Sequence, residues 1–461
     1  MTNSRLQHIV VIGGGPAGAM AAEGLARAGR RVTVFEERPG WEKPCGGGVT
    51  HKALSRYPFL LPMAGEASLV REVEFVAANN ASLRFQLREP LAIYPRCGLN
   101  GLLLRRAQSA GAEVVGDRIR ELRRQASGWE LQGCRSCLPL DGHPETMKMV
   151  PLLSKEGAGV VSRSAHHPLT PSSSEEGSRF QSGGTHYRAD YLILAAGART
   201  RLRAVLTEDF GPHDFMLTFG YYVPGRDDLL RVQFFEEFEG YVWAFPRPSH
   251  LSVGICGKVG EDSMAGLRER LHAFMRRFGY SSEGAQVYSH LLPALSVDTW
   301  GGLRLAGPGW ALAGDAGGLV DPVTGEGIYY AMRSGELLAQ SLLEGLPELY
   351  PARVQDEFGR ALALGARLAR TFYYGQFLGG PVPTRMVEFG SRSRRFLNVI
   401  QDMIEGSQSY LRLAAKLHLG LAAAIWDVAR PPGFGFSMRL KKPRHSAAQP
   451  RPNADSSLRS E

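Results

Sequence analysis

The sequence predicts an α/β protein. A parallel, dinucleotide-binding sheet is assembled from separated stretches of chain, with a mixed β-sheet inserted and helices towards the C-terminal end. Three observations predict this. A strand, glycine turn, helix and second strand open the chain. Buried-strand patterns return at 189–195 and 310–316, and alternating strand patterns fill the stretches between. The 461 residues are 44% hydrophobic and 21% charged, a balance that fits a large core and excludes a disordered chain.

Ile9–Ile12 is the apolar run of a buried strand. Gly13-Gly14-Gly15-Pro16-Ala17-Gly18 follows, then the helical pattern Ala19–Ala28, ended by Gly29. The second strand, Arg31–Phe35, is closed by Glu36. Gly13 permits the turn, Gly15 lets a pyrophosphate approach the backbone, and Gly18 lets the helix pack on the sheet. The helix N-terminus that opens at Pro16, itself without an N–H, offers free N–H groups to phosphate, that of Ala17 among them. Glu36, 18 residues beyond Gly18, is placed to accept ribose hydroxyls.

Downstream, Glu72–Val76 and Ala81–Leu87 read as strands, and Tyr94-Pro95-Arg96 puts an arginine at the mouth of a helix over Leu99–Ala110. Trp129–Leu131 is a strand, and Ala189–Ala195 is a second buried one that ends in Ala196-Gly197-Ala198-Arg199-Thr200. Met216–Val223, Arg231–Phe235, Tyr241–Pro246 and Leu251–Cys256 supply the inserted sheet. Trp310–Ala316 carries Asp315 at a strand tip, and Thr324-Gly325-Glu326-Gly327-Ile328 opens a helix over Tyr329–Glu344. Helices over Val354–Tyr374 and Phe396–Val428 complete the pattern. An aspartate at a strand end before a glycine-rich helix start suits a flavin. Asp315, beside Gly314, accepts a ribityl hydroxyl, and the N–H groups of Gly327 and Ile328 stabilise charge on the reduced ring.

With these segments in place, the chain resembles the glutathione-reductase-type FAD proteins, in the branch with the p-hydroxybenzoate hydroxylase fold. Only one GxGxxG is present, so a separate NAD(P)H domain is not expected. Lys43-Pro44-Cys45-Gly46-Gly47-Gly48-Val49, Tyr241-Val242-Trp243-Ala244-Phe245-Pro246 and Asp321–Ile328 narrow the resemblance to the geranylgeranyl reductase family over about residues 7–345. That resemblance implies an FAD-binding Rossmann domain formed by 1–70, 95–132, 187–205 and 301–345, and a substrate domain formed by 71–94 and 206–300. C-terminal helices would occupy 346–430. It implies FAD contacts at Arg96, Ile119, Gly314 and Asp315, and Cys45, Gly46 and Gly48 beside the flavin, with Cys45 as a catalytic candidate. It also implies a prenyl pocket walled by Tyr241, Trp243 and Phe245. The bland readings are a small buried cysteine and ordinary cross-strand packing of the aromatics.

The implied reaction is saturation of C=C bonds in a geranylgeranyl or polyprenyl chain, on a lipid or a diphosphate, by hydride from reduced flavin. A monooxygenase or halogenase of the same fold is the rival. Against halogenation, no lysine lies between Lys52 and Lys148. A flavin-loaded lipid-binding or electron-transfer protein without turnover is the third reading. Ala196 stands where hydroxylases of the branch carry an aspartate, which leaves the electron donor open between NAD(P)H and ferredoxin.

Residues 133–186 lose periodicity and read as a disordered, low-complexity insertion; Cys134 and Cys137 lie in it without the second pair that a metal would need. Lys+Arg 54 against Asp+Glu 45 gives +9, and the Pro-rich tail 431–461 is basic. With no recognisable module, that charge does not point to nucleic acid. It fits peripheral contact with an anionic leaflet, the helix bearing Leu411, Leu413, Leu417 and Trp426 adding apolar surface. Five cysteines, no signal-peptide pattern and no uninterrupted apolar span lead to an expected cytoplasmic location, with that peripheral contact at the inner face of the cell membrane.

Overall fold

A computed structural model of the chain describes residues 7–61, 65–135, 184–408, 410–413 and 415–416. The dinucleotide-binding sheet has six strands in the order Ala306–Gly307, Trp310–Leu312, Tyr191–Leu194, His8–Ile12, Arg31–Phe35, Glu113–Val115. All neighbours are parallel except the first pair. Its strands are rich in Val, Ile and Leu because helices cover them; Val10, Val11, Ile193 and Leu312 have no exposed surface.

The first helix, Pro16–Arg27, has Pro at its start and is buried on nearly every side. It lies against the helix Ile328–Leu343 through small residues. A Cβ on Gly335 would stand 2.2 Å from the Ala17 carbonyl, and one on Gly24 would stand 3.0 Å from the Ala339 Cβ. This close crossing brings the two helix N-termini, Pro16 and Ile328, to one side of the sheet.

The inserted sheet has eight strands in the order Gln286–Pro293, Phe215–Pro224, His250–Lys258, Gly240–Pro246, Leu229–Phe234, Ser68–Val76, Ser82–Ile93, Gly48–Val49. Its faces have different partners. Val242, Ala244, Val253 and Ile255 pack on the helix Met264–Phe278 through Leu267, Leu271 and Phe274. Phe75, Val232, Phe234 and Trp243 face the other way, towards a cluster completed by Tyr373, Met386, Leu397 and Ile400 of the C-terminal helices.

Several expected boundaries move. The strand expected at Trp129–Leu131 runs over Gly128–Arg135 and the chain returns as a strand at Thr185–Ala189, so both ends of the expected insertion 133–186 are strands. With Asp117–Gln125 they form a separate three-stranded sheet. The rest of that segment, including Cys137, lies outside the described residues. The run predicted as one strand over 189–195 is divided at Asp190, whose carboxylate turns back to accept the N–H groups of Gln7 and His8 at 2.7 and 2.8 Å. Gly48–Val49 pairs with Ile93 and Ala92, so the inserted sheet begins inside the stretch 1–70. The long helix expected over 396–428 stops at Glu405, because Gly406 takes φ +65 as its left-handed cap. The helix expected over 354–374 opens with a π-helical turn at Gln355–Gly359 before the α-helix Arg360–Tyr374. The tail 431–461, Leu417 and Trp426 lie outside the described residues, and no described helix is long and apolar enough to cross a membrane.

Candidate active site

The two sheets enclose one continuous cavity of about 2000 Å³. At its nucleotide end stand Gly13, Gly15, Pro16 and Ala17 at the first helix N-terminus. The glycines do different jobs. A Cβ on Gly13, at φ +103, would stand 2.4 Å from the Ala195 carbonyl, and one on Gly18 would stand 1.9 Å from the Gly13 carbonyl. A Cβ on Gly15 would meet nothing within 4 Å. Gly13 and Gly18 therefore hold the turn itself, whereas Gly15 leaves open space where a pyrophosphate would lie.

Glu36 accepts the Gly14 N–H at 2.8 Å and the Arg38 N–H at 2.9 Å. A carboxylate has about four acceptor sites, so both oxygens remain able to accept ribose hydroxyls. Ile119 lines the same end from the three-stranded sheet.

Asp315 follows the strand Trp310–Leu312 at a short helical turn, Gly314–Gly317. A Cβ on Gly327 would stand 3.6 Å from its Oδ1, so the start of the helix Ile328–Leu343 lies against Asp315. Lys43, absent from the expected contacts, pairs with Asp315 at 2.5 Å. Burial works to raise the Asp315 pKa; the Lys43 charge and hydrogen bond overcome it and hold the carboxyl below its ordinary range. His290 lines the cavity nearby with its Nε2 buried and unpartnered. Its pKa is driven well down by burial and then by Lys43, so the ring is neutral.

The loop that carries Cys45 is fixed by groups the sequence did not single out. Arg247, whose side chain has 0% exposure, donates to the Cys45 carbonyl at 2.7 Å and pairs with Glu42. Ser252 donates to the same carbonyl at 3.0 Å and is itself hydrogen-bonded to Tyr288 at 3.0 Å. Glu42 in turn accepts the Arg96 and Cys97 N–H groups at 2.8 and 2.9 Å, capping the helix Arg96–Ser109. The Arg96 side chain is buried, donates to the Cys45 Sγ at 3.4 Å and to Asn100 at 3.2 Å, and keeps a buried, unpartnered Nε. The glycines after Cys45 serve packing. A Cβ on Gly46 would stand 2.4 Å from the Phe245 ring, and one on Gly47, at φ +82, 2.2 Å from the Tyr94 carbonyl. Gly48 has looser contact with Phe245, at 3.5 Å.

Tyr241, Trp243 and Phe245 all line the cavity. Their rings form a row with centroids 5.9 and 6.5 Å apart. Tyr241 donates to the Thr324 carbonyl at 2.7 Å at one end, and Phe245 lies on Gly46 at the other. One strand thus bridges the Cys45 loop and the Gly327 helix start. The cavity continues between Phe75, Leu91, Val232, Phe234, Phe372 and Met403. Those side chains were not expected; alternation in Leu229–Phe234 marks Val232 and Phe234 as one face, but not as the face that meets the helices. Cys134 sits in the three-stranded sheet and accepts from Arg120 Nε at 2.8 Å. Among the described residues no cluster of metal-ligand type occurs.

The residues present fit FAD: an open glycine cradle at a helix N-terminus, a ribose carboxylate, a buried arginine with an unpartnered nitrogen, and a second helix start against Asp315. Comparison with known proteins agrees with that reading. The menaquinone reductase of Mycobacterium tuberculosis is 27% identical over 410 residues, covering 86% of this chain and 91% of that protein. The chloroplastic geranylgeranyl diphosphate reductase of Oryza sativa subsp. japonica is 26% identical over 363 residues, covering 75% and 68%. A geranylgeranyl bacteriochlorophyll reductase-like protein of Thermoplasma acidophilum shares the fold at a TM-score of 0.66 and 18% identity, covering 89% of this chain and 98% of that one. A flavin-dependent brominase shares it at 0.61 and 16%, covering 92% and 100%. The resemblance to geranylgeranyl reductases therefore holds at modest identity. Residues 8–340 match the FAD dependent oxidoreductase family, and the chain belongs to it.

Proposed function

We propose that the protein is an FAD-dependent reductase that saturates isolated C=C bonds of a polyprenyl chain carried on a lipid, a diphosphate or a quinone. The observation that carries this reading is the cavity. At about 2000 Å³ it exceeds the 300–1,000 Å³ range of ordinary small-molecule sites, leaving room for a nucleotide cofactor and a long chain together. Beyond the Cys45 loop its walls are Tyr241, Trp243, Phe245, Val232, Phe234 and Phe372, which suit an isoprenoid with little to hydrogen-bond.

FAD, when bound, supplies the hydride. An unactivated alkene is a poor acceptor, so this chain must hold the alkene in place, keep water away and deliver a proton. The aromatic row and the fixed Cys45 loop would do the holding, and fixing geometry is worth about 7–11 kcal/mol of a barrier. The names of the relatives support the substrate class: geranylgeranyl diphosphate and menaquinone both carry prenyl chains. The electron donor is proposed as NAD(P)H or ferredoxin, and contact with an anionic membrane surface as the route to a lipid substrate.

The fold is also that of a flavin-dependent brominase, which makes an oxygen-using reaction the second reading. Lys43, the one lysine on the large cavity, is tied to Asp315, which disfavours halogenation among the described residues. Anaerobic protein reduced with dithionite separates the two. Mixed with geranylgeranyl diphosphate, the flavin is expected to reoxidise at a rate that rises with substrate, and a fully saturated chain of equal length is expected to leave it reduced. A flavin that stays reduced with both until air enters overturns the reductase reading.

A further inference from the structure

A second cavity of about 40 Å³ lies beside the large one, lined among others by Lys52, Asp321, Glu326, Tyr330, Gln408 and Tyr410. A water needs roughly 10–15 Å³ and two to four polar partners, so this chamber has room for about three. Thr324, Glu326 and Met403 line both cavities and form the wall between them. Of the three, only Glu326 has an ionisable side chain, and its two oxygens point to different neighbours. Oε1 accepts from the Thr50 hydroxyl at 2.7 Å, and Oε2 pairs with Lys52 Nζ at 3.0 Å. Thr50 lines the large cavity and Lys52 the small one.

The chamber is built rather than incidental. Lys52 is also held by the Tyr330 hydroxyl at 3.2 Å and lies over the Tyr329 and Tyr330 rings at 4.2 and 4.4 Å. Asp321 closes the back, accepting the Tyr410 hydroxyl at 2.7 and 2.9 Å and the Val323 and Thr324 N–H groups at 2.9 and 3.0 Å. Burial raises the Asp321 pKa above its ordinary value, against the hydrogen bonds that lower it. Glu326 directly precedes Gly327 and Ile328, where the cofactor-side helix begins.

We propose that Glu326 and Thr50 are a proton relay joining solvent in the small chamber to the large cavity. A chamber water gives a proton to the Glu326 carboxylate. The carboxyl passes it to the Thr50 oxygen while the Thr50 hydroxyl proton moves on to the acceptor in the large cavity. Solvent replaces the proton lost by the water, and both side chains return to their starting forms. The alkene as final acceptor rests on the reductase reading above; the relay itself serves any reduction in the cavity that takes up a proton, and runs backwards on oxidation.

The test does not depend on the substrate. Holoenzyme reduced with dithionite, freed of excess reductant and mixed anaerobically with ferricyanide, gives two electrons to the oxidant and releases one proton. Flavin absorbance times the electrons, and a pH-indicator dye times the proton. In the wild type the two signals should coincide. In Glu326→Gln and in the near-isosteric Thr50→Val, proton release should lag by about a hundredfold or more, the usual scale of a lost acid–base group, with the flavin spectrum unchanged. In Glu326→Ala, millimolar formate should restore fast release, which a merely structural role would not allow. Release in step with the absorbance in both Glu326→Gln and Thr50→Val overturns the relay. Failure of the reductase reading shows separately, as a reduced flavin that a prenyl substrate does not oxidise.

Discussion

Arg247 places a fully buried guanidinium between Glu42 and the Cys45 carbonyl, so one side chain ties three parts of the site together. Truncating one partner of such a pair leaves the other charge poorly solvated, which costs about 3 kcal/mol or more. Arg247→Met is therefore expected to lower the thermal midpoint and to weaken FAD retention, both readable by following flavin fluorescence on heating. Glu42 adds a pH signature. Burial works to raise its pKa, but Arg247 and the Cys97 and Arg96 amides bring it below its ordinary value of 4.5. A depressed carboxyl contributes stability above that value and loses it as pH falls through the lower folded value. Glu42→Gln should thus be less stable than wild type at neutral pH, with the gap closing below pH 4.5, as denaturant midpoints will show. The glycines give a sharper contrast. Gly15→Ala meets no atom within 4 Å, so its apo-protein should melt like wild type while FAD affinity falls roughly tenfold, ~1.4 kcal/mol. Gly18→Ala places a Cβ 1.9 Å from a carbonyl and should not give folded protein.

At the scale of elements, the aromatic strand Gly240–Pro246 shows what periodicity reveals and what it hides. Alternation alone puts Tyr241, Trp243 and Phe245 on one face, and the structure keeps them there. The residue immediately after that strand, Arg247, looks like a solvated strand end in sequence. Its burial follows from a long-range partner, Glu42, 205 positions away. The resemblance implies Cys45, Gly46 and Gly48 beside a flavin; the structure adds that Gly46 lies against Phe245 and Gly47 against Tyr94. The helix Arg394–Glu405 closes the far end of the cavity with Met403 and Ile404, and its opposite side is pinned by Arg88 to Asp402 and Glu405 at 2.5 and 2.7 Å. Lys416 adds a bond to Asp402 at 2.6 Å. Both carboxylates are nearly buried, so Arg88→Met leaves them undercompensated. Hydrogen exchange should then speed up in the amides of this helix, with those of His8–Ile12 unchanged; equal protection in both would contradict the pinning.

Over the whole molecule, the nucleotide half was legible because its chemistry is local: a turn, a helix start and a carboxylate lie within the first 36 residues. Asp315 and the Gly327 helix start were legible from their own motifs, although only the fold sets them against each other. The half built on the inserted sheet was legible in outline only. Its pocket is made where a sheet face meets helices from the far end of the chain, and nothing local in Phe75, Phe372 or Met403 marks them as neighbours. The three-stranded sheet was hidden for a similar reason, its strands lying on both sides of a long polar insertion.

In the proposed reaction the hydrogens go to the prenyl chain. Reduced holoenzyme given menaquinone without air, with the product weighed and fragmented by mass spectrometry, tests it most directly. A gain of two hydrogens per bond in the chain fragments, with the ring system unchanged, is the predicted result. A gain confined to the quinone ring, or an oxygen or halogen gained only after air is admitted, would overturn the reductase reading.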